Sequence, residues 1–162
     1  MVAFLKARRD ATFDLVGRAE RLARVLRTQS PKFVLCHSDV HAGNIFIGDD
    51  GALHIVDWDN PILAPRERDL MFVGGAQGFM GRTAQEEATL FYQGYGETQV
   101  DPAALAYFRC ERIIEDIALY CEQLLLSDAG GDDREQSLRY LMSSFDPGGT
   151  IEVACQADTT GA

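Results

Sequence analysis

Between residues 37 and 57 the chain gathers side chains that could do chemistry: His37, Asp39, His41 and Asn44 within His37-Ser38-Asp39-Val40-His41-Ala42-Gly43-Asn44, and then Asp57. The spacing His-x-Asp-x-x-x-x-Asn offers a carboxylate to a proton donor and, after the loop has turned back, an amide oxygen to a cation. Transfer of a phosphoryl group to a hydroxyl asks little covalent work of a protein; it asks for positioning and for neutralised phosphate charge. Asp39 is suited to meet an acceptor hydroxyl and take its proton. Asn44 and Asp57 supply hard oxygens for Mg2+, which keeps several waters and takes only one or two carboxylates from protein. An Asx-rich turn would explain Asp39 and Asn44, but it would not require the second carboxylate at Asp57.

The neighbours of this set have narrower roles. His37 reads as a packed, hydrogen-bonded residue that holds the loop. For His41, orienting the loop, approaching a phosphate and a purely structural role all fit its position. Asp59, beyond Trp58, is a second metal ligand, a group supporting the first, or a turn residue. Asp69, in Arg66-Glu67-Arg68-Asp69-Leu70, falls in the first turns of a helix and can accept backbone hydrogen bonds from the loop. Zinc has no support, because His54 lies inside a strand and no cysteine is suitably spaced.

The elements that must position these residues follow from periodicity and punctuation. Leu15, Ala19, Leu22 and Leu26 recur at three and four residues, predicting an amphipathic helix over about 3–28, with Arg18, Arg21, Arg24 and Arg27 on its surface. Phe33–Cys36 is a short strand. Ile45–Ile47 and Leu53–Val56 flank Gly48-Asp49-Asp50-Gly51 and predict a β-hairpin, whose open ends bring Asn44 and Asp57 together. Pro65 is expected to open a helix running to about Gln77, interrupted or ended by Gly74-Gly75. Thr83-Ala84-Gln85-Glu86 has capping-box spacing, for a helix fading at Gly94-Tyr95-Gly96. Asp101-Pro102 starts the longest helix, about 102–127, and Asp132 or Asp133 caps another to about Ser144. The fold class is therefore α+β and mainly α, with a small β element in a helical body.

Composition sets outer limits. At 162 residues there is room for one compact domain or one lobe of a larger enzyme. A net charge of −10 argues against nucleic acid as a partner. Residues 1–32 carry eight basic and three acidic side chains, or +5, so the rest carries −15. That acidic body suits a cationic ligand or a solvated surface equally. The four cysteines form no CxxC pair and read as unpaired thiols of a reducing, cytoplasmic protein. No apolar run is long enough to span a membrane.

The run His-Ser-Asp-Val-His-Ala-Gly-Asn followed by Ile-Val-Asp-Trp-Asp resembles the aminoglycoside phosphotransferase and choline kinase family, whose fold is that of protein kinases. The continuation from Asp57 to Phe72 is particularly similar to spectinomycin-type members. The match covers about residues 33–75. It implies Asp39 as catalytic base, His41 beside it, Asn44 and Asp57 as Mg2+ and nucleotide ligands with Asp59 near them, and Asp69 as the loop-supporting aspartate. It further implies ATP or another nucleoside triphosphate, and an acceptor groove lined by acids, for which Glu111, Glu115 and Asp116 are candidates. Residues 1–155 would then be a kinase-like C-terminal lobe, with 33–75 as its catalytic part, 83–145 as its helical substrate side and 156–162 as a disordered tail. The glycine-rich loop and strand lysine of an N-terminal lobe are missing from the pattern, so such a lobe, or self-association, is the expected partner.

Overall fold

The computed structural model describes residues 2–75, 82–126 and 131–157. The leucine-spaced N-terminal segment forms two helices, α1 (Val2–Ala7) and α2 (Arg9–Gln29), because the backbone breaks helical geometry at Arg8. Leu15, Ala19, Leu22 and Leu26 are the buried residues of α2, as their spacing predicts. Arg18 is a correction. It lies half-buried and donates from Nη2 to the carbonyl of Cys155 at 2.5 Å, so this part of the arginine-bearing face is packed.

Three strands were expected and four form. β1 (Phe33–Cys36) pairs antiparallel with β4 (Ile62–Pro65), Phe33 opposite Pro65 and Cys36 opposite Ile62. β2 (Ile45–Ile47) pairs antiparallel with β3 (Leu53–Ile55), Ile45 opposite Ile55. The expected hairpin is therefore present, and Val56 N–H extends it by donating to Asn44 O at 3.0 Å. Gly51, at φ 79°, takes the left-handed position in its turn.

Pro65 does not open a helix; it closes β4, where a residue without an N–H is tolerated. Helix α3 is only Glu67–Leu70, followed by turns through Gly75, and the expected end at Gln77 lies outside the described residues.

Helices α4 (Ala84–Tyr95) and α5 (Pro102–Leu125) start where the capping signals put them. Thr83 and Glu86 form the reciprocal capping box, and Asp101 accepts from the N–H groups of Ala103 and Ala104. Helix α6 (Asp132–Ser143) has Gly131 at its cap, with Asp132 and Asp133 in the first turn instead. Helix α7 (Thr150–Gln156), unforeseen, reaches into the segment expected to be a disordered tail; residues 158–162 of that tail lie outside the description.

Two buried clusters result. The larger joins α2, α5, α6 and α7 through Leu15, Cys110, Ile113, Ile117, Leu141 and Ala154. The smaller joins the β1–β4 pair to α5 through Cys36, Ala64, Met71, Phe72 and Phe108. Burial pushes the Cys110 thiol up to about 11 and raises the Cys36 thiol as well. The catalytic-loop candidates hang between the smaller cluster and the hairpin.

Candidate active site

The loop after β1 is held by one carboxylate. Asp69 accepts from His37 N–H at 3.0 Å with Oδ2 and from Ser38 N–H at 2.7 Å with Oδ1. Ser38 sits at φ 72°, a left-handed conformation that costs a non-glycine residue of order 1–3 kcal/mol unless its surroundings enforce it. Asp69 from below, and Ser38 Oγ donating to Asn60 O at 2.8 Å, enforce it. The second left-handed residue near the site is Asp57, at φ 66°, where the hairpin ends. Both departures bracket the chemistry-bearing residues.

His37 is buried and wedged. Its Nε2 lies 2.8 Å from Val56 O, its ring meets Trp58 edge-on at 4.5 Å, and Asp39 N–H donates to its Nδ1 at 3.3 Å. A carbonyl can only accept, so Nε2 carries the proton and Nδ1 is the acceptor. Trp58 is fixed in turn by donating from Nε1 to Ile55 O at 3.0 Å. His37 thus ties the loop to the hairpin.

His41 caps the short 3-10 turn Ala42–Asn44, accepting from Gly43 N–H at 3.0 Å with Nδ1. A Cβ on residue 43 would lie 2.7 Å from the His41 ring, so the cap requires glycine there. This bond turns His41 Nε2 toward Asp39 Oδ2, 3.7 Å away. Asn44 donates from Nδ2 to Asp39 O at 2.9 Å, which ties its amide to the loop and assigns its Oδ1 as the atom a cation would take.

The Mg2+ expectation can be tested against this geometry. Asn44 and the exposed Asp57 stand at the two open ends of the hairpin, bridged by the Val56 to Asn44 backbone bond. Among the described residues no three His, Cys, Asp or Glu side chains converge. Mg2+ does not need three; one carboxylate, one amide oxygen and room for water fit its habits. Asp59 is exposed, two residues beyond Asp57.

Helix α5 supplies what sequence reasoning did not foresee. Arg112 donates from Nη1 to Asp39 Oδ1 at 2.6 Å and from Nε to Asp116 Oδ1 at 3.0 Å. Burial opposes the charge of Arg112, but Asp116 and Asp39 outweigh it and hold its pKa above the usual value. Burial pushes the Asp116 carboxyl up, against the pull of Arg112. Glu111 accepts from Tyr107 OH at 2.6 Å and faces buried Arg68 at 3.4 Å, while Glu115 lies 3.8 Å from the same arginine. The three acids proposed to line an acceptor groove therefore each have a cationic partner within the chain. The i, i+4 spacing of Arg112 and Asp116 was visible in the sequence; the bond to Asp39 joins residues 73 apart and left no local trace.

The carboxylate-clamped loop presents Asp39, about one-third exposed and held by Arg112, and the hairpin that follows ends at a second aspartate, Asp57. The model of the phosphotransferase enzyme family APH matches residues 2–108, and the chain belongs to that family. Among solved structures it is similar to spectinomycin phosphotransferase APH(9)-Ia in complex with ADP and spectinomycin, at 41% identity and TM-score 0.80, covering 96% of this chain and 47% of that one. The AMP-bound complex of the same enzyme matches at 42% identity and TM-score 0.79, over 94% and 46%. The chain thus spans about half the length of these structures. No curated protein matches it.

Proposed function

We propose that the chain is the C-terminal lobe of an ATP-dependent kinase that transfers the γ-phosphoryl group to a hydroxyl of a small cationic molecule, an aminocyclitol or aminoglycoside antibiotic. The observation that carries this reading is the Asp69-clamped loop, with Asp39 at its tip and Asn44 and Asp57 at the hairpin ends. In it Asp39 is the base that takes the acceptor's proton. Asn44 and Asp57 hold Mg2+, with Asp59 beside them, and that ion would supply charge neutralisation at the phosphates. His41 orients Asp39, His37 holds the loop, and Glu111, Glu115 and Asp116 contribute negative charge on the acceptor side. The spectinomycin and ADP of the solved relative support an aminocyclitol acceptor and an adenine nucleotide. Four unpaired cysteines favour the reducing cytoplasm.

The test is Mg2+- and ATP-dependent phosphate transfer to spectinomycin and a panel of aminoglycosides. Asp39→Asn is expected to lower kcat by at least about 100-fold, the scale of general-base catalysis. Transfer to none of these acceptors, with or without an added nucleotide-binding lobe, would sink the reading.

A second reading, a non-catalytic module that binds a ligand or partner, draws on the apolar groove between the strands, the loop and α4. Leu35, Val40, Ile45, Ile55, Phe91 and Tyr95 help line an open groove of about 760 Å3. A nucleotide-gripping lobe or a second copy would cover it. Calorimetry with Mg2+·ATP separates the readings, since a competent nucleotide site binds in the micromolar range, roughly −8 kcal/mol.

A further inference from the structure

Arg112 is held on three sides. Beyond its bonds to Asp39 and Asp116, its guanidinium lies over the Phe72 ring at 5.6 Å. Phe72 is itself fixed. Arg109, two-pronged, donates from Nε to Met71 O at 3.0 Å and from Nη2 to Val73 O at 2.6 Å, bracketing residue 72. The Phe72 ring then meets the His41 ring at 5.8 Å. A continuous path of packed groups therefore runs from the core of α5 to the tip of the loop.

The consequence falls on Asp39. Its carboxylate is about one-third exposed and can turn about its side-chain bonds unless something fixes it. Oδ1 is taken by Arg112 at 2.6 Å, and Oδ2 is left on the His41 side. A planar, forked guanidinium suits holding two carboxylates at once while resting over an aromatic ring.

We propose that Arg112 is a positioning residue for phosphoryl transfer: it pins Asp39 Oδ1, so that Oδ2 is the oxygen presented to the acceptor hydroxyl, while Asp116 braces Arg112 from behind. The inference rests on Asp39 being the base. Arg112 keeps its protons throughout. The acceptor's O–H proton passes to Oδ2 as the new O–P bond forms and the bond from the γ-phosphorus to ADP breaks.

The experiment reads turnover and position separately, in the full chain. For Arg112→Met, kcat is expected to fall about 100-fold while the acceptor KM stays within about threefold, because misplacement of a reacting group by an ångström costs that much. Arg112→Lys should recover part of the loss. Asp116→Asn, nearly isosteric and so the safer variant for folding, should cost about tenfold in kcat by loosening the brace. A kcat for both Arg112→Met and Asp116→Asn within about threefold of wild type overturns the proposal. Position is read by side-chain nitrogen NMR at low temperature. The Arg112 Nη signals should be split by slowed rotation in the wild type and merged in Asp39→Ala. Unsplit signals in the wild type overturn the proposal whatever the turnover. A wild-type chain that transfers no phosphate, with or without an added nucleotide-binding lobe, sinks the function proposed above, and the NMR result then decides the pin alone.

Discussion

The helical body and the strand platform are built to different standards. In the body, Leu141, Cys110 and Ala106 are fully enclosed, and α2, α5, α6 and α7 cover one another's apolar faces. On the platform every residue from 51 to 63 is exposed, with Ile47 at 75% and Leu63 at 69%. The body encloses its own apolar faces; on the platform the β1–β4 pair buries Cys36 and Ala64, while both strands of the hairpin that carries the candidate metal residues are exposed throughout. The chemistry thus sits on the half whose surroundings are incomplete.

Paired truncations give the widest separation between the two halves. Leu141→Ala should cost about 2–5 kcal/mol in chemical denaturation, the range for opening a cavity in a packed core. Leu63→Ala should change stability by no more than about 0.5 kcal/mol, as for a surface site. Equal costs would mean that the platform is covered in solution, by a second copy or by a rearranged chain.

Asp69 links the halves, since α3 rests on α5 while its carboxylate grips the loop after β1. Asp69→Ala leaves the N–H groups of His37 and Ser38 without that carboxylate, which should cost about 2–3 kcal/mol. Hydrogen exchange should speed up first at residues 37 and 38. Uniform acceleration through α5 would instead show that loop and body open as one unit.

The smallest effect expected is a pH response confined to α4. The backbone N–H and the hydroxyl of Thr83 hold the Glu86 carboxyl below its usual pKa of 4.5. A depressed carboxylate stabilises the fold above the unfolded value, and the contribution is lost as pH falls through the folded one. Protection factors, which remove the pH dependence of intrinsic exchange, should therefore fall at the first turn of α4 on acidification below about pH 4.5, and Glu86→Gln should flatten the response. Unchanged protection factors across that range would show that the cap contributes nothing there.

Much of this was legible in the residues because the signals were local. The hairpin turn, the Thr83–Glu86 box and the Asp101 cap each span only a few positions, and each appears where its chemistry puts it. Asp69, in the first turns of a helix, is placed to accept backbone hydrogen bonds from the loop, and it accepts those of His37 and Ser38. What stayed hidden depends on pairing across the chain. Strand β4 is four residues that follow Pro61 and end at Pro65, and only its register with β1 makes it a strand. The short helix α7 shows little periodicity of its own and gains its place by packing on α5. Arg112 meets Asp39 across 73 residues of chain, a pairing that only the fold creates.

The two buried thiols, one in each cluster, carry a consequence of their own. A reagent that attacks only thiolates finds Cys36 and Cys110 enclosed and, through burial, disinclined to ionise. Each becomes reactive only during the moments when its own surroundings part. Mass spectrometry of a slow alkylation therefore times two separate openings in one tube, with half-buried Cys121 and Cys155 as early markers. If Cys36 is modified long before Cys110, the loop-bearing half breathes alone, and whatever binds there will be seen first as a delay in that single reaction.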